Sequence, residues 1–112
     1  MHVFMDQELP TQLKTNPLLL QGAGIKAQNI QVLVEGLGTW TFEFDVNGQV
    51  KLHSGASSSS TCTIETKADV FDGLLKGSVN VATAYLFRKI KIKGDTQLAI
   101  QLGLALKKVF RP

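Results

Sequence analysis

Reactive and metal-binding side chains are scarce in this chain: 112 residues hold one cysteine, two histidines, one tryptophan and one tyrosine. A lone Cys62 excludes an internal disulfide and any all-cysteine metal site, and it suits a reducing compartment. His2 and His53 have no cysteines or carboxylates at ligand spacing around them, so no metal is expected. No apolar run approaches the roughly 20 residues a membrane-spanning helix needs. The opening Met1-His2-Val3-Phe4-Met5-Asp6 lacks a basic stretch followed by an apolar one, and Phe110-Arg111-Pro112 is not a peroxisomal address, so a cytoplasmic location is expected. Gly22-Ala23-Gly24 neither follows a strand nor opens a helix, which removes a phosphate-binding glycine loop and leaves no cofactor expected.

What is present is apolar. Apolar residues make up 44% of the chain and charged ones 19%, the balance of a single folded domain with one core. Charge is uneven. Residues 88–112 carry seven Lys or Arg against the single acid Asp95, while residues 1–87 carry five bases against eight acids. A basic end of this kind is either a solvated face or a surface for anionic lipid, a phosphorylated ligand or nucleic acid.

Periodicity sets the element order. Phe4, Leu9 and Leu13 fall at helical spacing from Phe4 to Thr15, with Pro10 kinking that helix or opening a second turn. Asn29 to Glu35 alternates, with Ile30, Val32 and Val34 on one face. After a turn at Gly36-Leu37-Gly38, Thr39 to Val46 alternates again and points Trp40, Phe42, Phe44 and Val46 one way. Asn47-Gly48 predicts a tight turn into a third strand, Gln49 to His53, with Val50 and Leu52 inward. Ser54 to Ser60 reads as a mobile loop, and Thr61 to Glu65 as a fourth strand with Cys62 and Ile64 inward. Thr66 and Asp69 have the spacing of a capping box for a helix whose stripe is Val70, Phe71, Leu74 and Leu75, ending at Gly77. Asn80 caps a helix from Val81 to Phe87; Lys89 to Lys93 is a short strand with Ile90 and Ile92 inward; Asp95 caps a last helix from Thr96 to Val109. Strands with one polar face predict an α+β fold: a mostly antiparallel five-stranded sheet covered on one side by about four helices.

The last helix carries more apolar surface than docking on one sheet requires, since Leu98, Ala99, Ile100, Leu102, Leu104, Ala105, Leu106, Val109 and Phe110 spread beyond a roughly 100° stripe. Three rings, Trp40, Phe42 and Phe44, crowd one sheet face. Either surplus is ordinary core or a partner contact, or it lines a pocket. The pocket candidates are Val32, Trp40, Phe42 and Phe44 from the sheet and Phe71, Leu74, Leu75, Ile100, Leu104 and Phe110 from the helices. Arg88, Lys89, Lys107 and Lys108 are candidates for a lipid headgroup or an anionic membrane. Tyr85 with Asp69 or Asp95 is the one arrangement that offers proton transfer in an apolar pocket, and both acids have a competing role as caps. Aromatic side chains do not interleave with the exposed lysines, which disfavours nucleic acid.

Gly38-Thr39-Trp40-Thr41-Phe42-Glu43-Phe44-Asp45, Leu74-Leu75-Lys76-Gly77 and Lys91-Ile92-Lys93-Gly94-Asp95 follow one another in an order and spacing that resembles the sterol carrier protein type-2 family of lipid-binding domains, from about Phe4 to Phe110. The resemblance implies strand order 3-2-1-4-5, an apolar tunnel between sheet and helices, and non-enzymatic binding of a fatty acid, fatty acyl-CoA, sterol or prenyl-type lipid. Matching members usually carry glycine where this chain has Arg88, and Asn-Pro where it has Asn80-Val81. The rival expectation is an accessory or dimerisation domain that docks on a lipid-metabolising enzyme through the last helix. A monomer or weak homodimer is expected.

Overall fold

The computed structural model describes residues 4–110 and the side chains of residues 5–110. The expectations for His2, for the side chain of Phe4 and for Arg111 lie outside them. Strands β1 (Gln28–Glu35), β2 (Gly38–Phe44), β3 (Val50–Ser54), β4 (Cys62–Lys67) and β5 (Ile90–Gly94) form one sheet in the order β3-β2-β1-β4-β5. All neighbours pair antiparallel except β1 and β4, which are parallel. Helices α1 (Leu9–Thr15), α2 (Ala68–Lys76), α3 (Val81–Leu86) and α4 (Thr96–Val109) complete the two-layer α+β fold. A wide turn at Phe4–Glu8 precedes α1, and Pro10 sits in the first turn of α1, where its missing N–H costs nothing.

Register places the inward side chains in rows across the sheet. Leu52, Phe42, Ile30 and Cys62 form one row, and Trp40, Val32, Ile64 and Ile92 the next. Phe42, Ile30 and Val32 have no solvent exposure. Against these rows pack Met5, Leu9 and Leu13 from the N-terminal elements, Phe71 and Leu75 from α2, and Ala99, Leu102, Ala105 and Leu106 from α4. Trp40 Nε1 donates to Asp6 Oδ1 at 2.7 Å, which fastens the N-terminal turn to the sheet.

Three expectations are corrected. Val46 does not continue β2; it is 73% exposed. The Asp45 carboxylate accepts from the N–H groups of Asn47 and Gln49, so the chain leaves the pleat one residue before Val46. Thr66 is no helix cap: it lies buried within β4, opposite Ile90, and α2 begins at Ala68 with Asp69 accepting from the Val70 N–H.

The serine-rich segment, which reads in sequence as a mobile loop, is tied down along its length. To reach β4 from β3 it must cross β2 and β1, and it does so over their polar face. Thr41 Oγ1 donates to the Gly55 carbonyl at 2.7 Å, the Ser57 N–H donates to Gln31 Oε1 at 3.0 Å, and Asn29 Nδ2 donates to Ser59 Oγ at 3.0 Å. This crossing leaves Thr41 without solvent exposure and requires the parallel β1–β4 pair.

Caps fix the remaining helices. Asn80 Oδ1 accepts from the Thr83 N–H, and Asp95 Oδ1 from those of Gln97 and Leu98. Arg88 has φ 60°, and the bonds Arg88 N–H to Tyr85 carbonyl and Lys89 N–H to Ala84 carbonyl make a left-handed close to α3. That is the position where the resemblance predicts glycine, and its conformation explains the preference.

Candidate functional site

Between the layers lies a cavity of about 30 Å³. Its floor is Val32 of β1, Ile64 of β4 and Ile90 of β5; α2 supplies Phe71, Leu74 and Leu75; α3 supplies Val81; α4 supplies Ala99, Leu102, Gly103 and Leu106. Every lining side chain is hydrocarbon, so the space offers no partner to a polar group and favours only apolar matter.

The geometry of the walls follows from sequence. On α2, Phe71, Leu74 and Leu75 are three and four residues apart and share a face. On α4, Ala99, Leu102 and Leu106 do the same, and Gly103 permits close approach of α3: a Cβ there would come within 3.3 Å of Val81. Gly73 is tighter still, because a Cβ would meet Val79 at 2.5 Å. These glycines let α2, α3 and α4 close over the cavity.

Four of the sequence candidates therefore line this cavity: Val32, Phe71, Leu74 and Leu75. Trp40, Phe42 and Phe110 belong to the surrounding buried cluster. Ile100 packs on a separate small cluster with Val81, Ala84 and Ile90 on the α3 side. Leu104 is 46% exposed and lines a different groove of about 210 Å³, beside Leu19, Ala23 and Lys108. Sequence reasoning passed over Ile64, Val81, Ile90, Ala99, Leu102 and Leu106 as site residues, while Gly103 reads as a place for close approach of a ligand or another backbone. Their inward faces were legible in the alternation of β4 and β5 and the spacing on α4, but not their meeting at one point.

A larger depression, about 540 Å³, lies elsewhere, where α1 leans over β3. Leu13, Phe44, Val50 and Leu52 form its base, while Lys14, Glu43, Asp45 and Lys51 share its walls. It is open and carries charged walls, which sets it apart from the all-hydrocarbon cavity between the layers. Phe44 belongs to this cleft.

The polar candidates do not converge. Arg88 and Lys89 are exposed beyond α3; Lys107 lies against Gly77 at the end of α2; Lys108 borders the Leu104 groove. Tyr85 is 37% exposed, Asp95 is spent on capping α4, and neither these nor Asp69 line the apolar cavity. Cys62 is buried beside the start of α4, and its Sγ donates to the Asp95 carbonyl at 3.3 Å. Burial, with the Asp95 charge adding to it and the Ala99 backbone opposing, pushes its pKa up from 9.0 to about 11. Among the described residues no three His, Cys, Asp or Glu side chains gather as for a metal ion, and no helix is long and apolar enough to cross a membrane.

The model of the SCP-2 sterol transfer family matches residues 11–107. The chain belongs to this family. No curated protein matches its sequence. Among solved structures, the SCP2-family fold is shared with the UbiJ-SCP2 ubiquinone synthesis protein, at 17% identity and a TM-score of 0.68 over 90% of this chain and 87% of that one. Sterol carrier protein 2 from Yarrowia lipolytica, in its apo form, matches at 20% identity and a TM-score of 0.62 over 88% and 78%. Palmitated SCP2L2 from Aedes aegypti matches at 17% identity and a TM-score of 0.64 over 89% and 88%. The SCP2 membership accounts for the strand order.

Proposed function

We propose that this SCP2-family chain is a non-enzymatic, cytoplasmic lipid carrier that holds one acyl chain, sterol or prenyl-type tail between sheet and helices. The observation that carries the reading is the cavity whose eleven lining residues present only hydrocarbon. Palmitate in the Aedes aegypti relative and the family's sterol-transfer description support it.

The physics of the site suits exchange rather than chemistry. Burying a methylene is worth about 0.8 kcal/mol relative to water, so a long tail does not cross water alone. Transfer from bilayer to protein exchanges one apolar medium for another, and the net change per methylene is small. A space of about 30 Å³ is far smaller than a long acyl chain or a sterol, so a tail enters only as α2, α3 and α4 part from the sheet. The first contacts are then Val32, Phe71, Leu74 and Leu75, and the wall uncovered behind them is Trp40, Phe42 and Phe110.

Purification without detergent, followed by solvent extraction and mass spectrometry, tests the proposal. A lipid present in stoichiometric amount supports it. Repeated absence of lipid, together with no uptake of any added fatty acid or sterol, overturns it.

A second reading has its own observation. The exposed Leu104 beside the groove of Leu19 and Ala23 is the surface an accessory domain would offer to another protein, and one structural relative is a ubiquinone synthesis protein. A dimer that forms without ligand and is broken by Leu104→Ser favours that reading.

A further inference from the structure

From Gly73 to Gly94 the chain holds five basic residues and no acidic one. In the middle of that stretch α3 ends in Leu86 and Phe87, which are 76% and 72% exposed. Arg88 and Lys89 follow at once, both exposed. This tip is not a frayed end. The N–H groups of Phe87, Arg88 and Lys89 all donate to carbonyls of α3, at 3.0, 3.1 and 2.8 Å. Two large apolar side chains are thus held out into water by an ordered turn, with two cations fixed beside them.

We propose that Leu86 and Phe87, flanked by Arg88 and Lys89, are the surface by which the protein docks on an anionic lipid membrane. A leucine and a phenylalanine enter the interface between headgroups and acyl chains, while neighbouring guanidinium and ammonium groups meet lipid phosphates and carboxylates. Charge selects this occupant over a second copy of the chain, because two such tips brought together would set basic groups against basic groups. Among the described residues no acidic side chain pairs with Arg88 or Lys89.

The position has a consequence for the cavity. Val81 at the start of α3 and Ile90, directly after Lys89, both line it. A membrane bound at Leu86 and Phe87 therefore holds the segment that covers one side of the cavity. This use of the surface rests on the carrier reading, but the docking itself does not.

Co-sedimentation with phosphatidylcholine vesicles, with and without phosphatidylserine, tests the proposal on the whole chain. The expected result is binding to the phosphatidylserine vesicles that weakens with added salt. The double variant L86S/F87S weakens it at least about tenfold, R88Q/K89Q roughly 30-fold at low salt, and V46S, which removes an exposed apolar residue elsewhere, leaves it unchanged. All five side chains are exposed, so far-UV circular dichroism of each variant should match the parent. Failure of the parent to bind, or parent-like binding by both double variants, overturns the proposal. So does a ligand-independent dimer that L86S/F87S dissolves. Mass spectrometry of the same preparations separates the two readings: docking by a protein that never carries lipid sinks the carrier and keeps the dock, and a lipid-loaded protein that ignores vesicles does the reverse.

Discussion

Trp40 and Asp6 are joined by a hydrogen bond of 2.7 Å across 34 residues of sequence. Trp40 is 2% exposed while Asp6 is exposed, so removing the carboxylate takes a charged acceptor from the indole N–H and loosens the N-terminal turn from the sheet. Asp6→Ala is expected to lower stability by about 1–3 kcal/mol. Urea denaturation followed by tryptophan emission measures the loss.

Gly94 meets β4 so closely that a Cβ would stand 2.3 Å from the Thr61 carbonyl oxygen, and its φ is 94°. Gly36 has a similar φ of 85° with nothing within 4 Å of the same position. Gly36→Ala should therefore cost about 1 kcal/mol, the conformational penalty alone. Gly94→Ala adds a backbone clash and should cost about 3 kcal/mol or more, or leave the protein insoluble. Thermal denaturation of the pair distinguishes the two effects.

Arg88 occupies a left-handed conformation at φ 60°. Glycine adopts it without strain, although it also gives the unfolded chain more freedom. Arg88→Gly is expected to raise stability by up to about 1 kcal/mol, read as a higher urea midpoint at unchanged slope. The same change should weaken binding to phosphatidylserine vesicles, so stability and docking move in opposite directions.

The Cys62 thiol is held neutral, its pKa raised from 9.0 to about 11. Below pH 9 both folded and unfolded chains keep the proton, and the group contributes no pH dependence. Between about 9 and 11 the unfolded chain releases it while the folded chain retains it, so stability falls as pH rises through that window. Cys62→Ser should flatten this fall. Iodoacetamide at neutral pH should label the native thiol far more slowly than the unfolded one.

Strand alternation made most of the sheet legible, because Ile30, Val32, Val34, Trp40, Phe42 and Phe44 repeat every second residue and all face the helices. Alternation alone missed where a polar side chain captures the backbone. Val46 continues the period of β2, but the Asp45 carboxylate draws the chain into a turn first. The anchors of the serine-rich crossing were hidden for a different reason: Thr41 and Gln31 meet Gly55 and Ser57 only once β3 and β4 lie on opposite sides of β1 and β2. Leu104 marks the limit at the site. The apolar surplus on α4 is real, yet it faces three ways, toward the cavity with Leu102, toward α3 with Ile100 and toward the Leu19 groove with Leu104. Helical spacing shows that several faces exist without assigning each its neighbour.

Titration with a series of saturated fatty acids of increasing length, followed by calorimetry, tests the apolar cavity most directly. Affinity should rise about fourfold with each added methylene, as about 0.8 kcal/mol per buried group requires, until the space between sheet and helices is full, and then level off. Affinity that does not change with chain length, or no binding at any length, would contradict the claim that the layers open around a hydrocarbon guest.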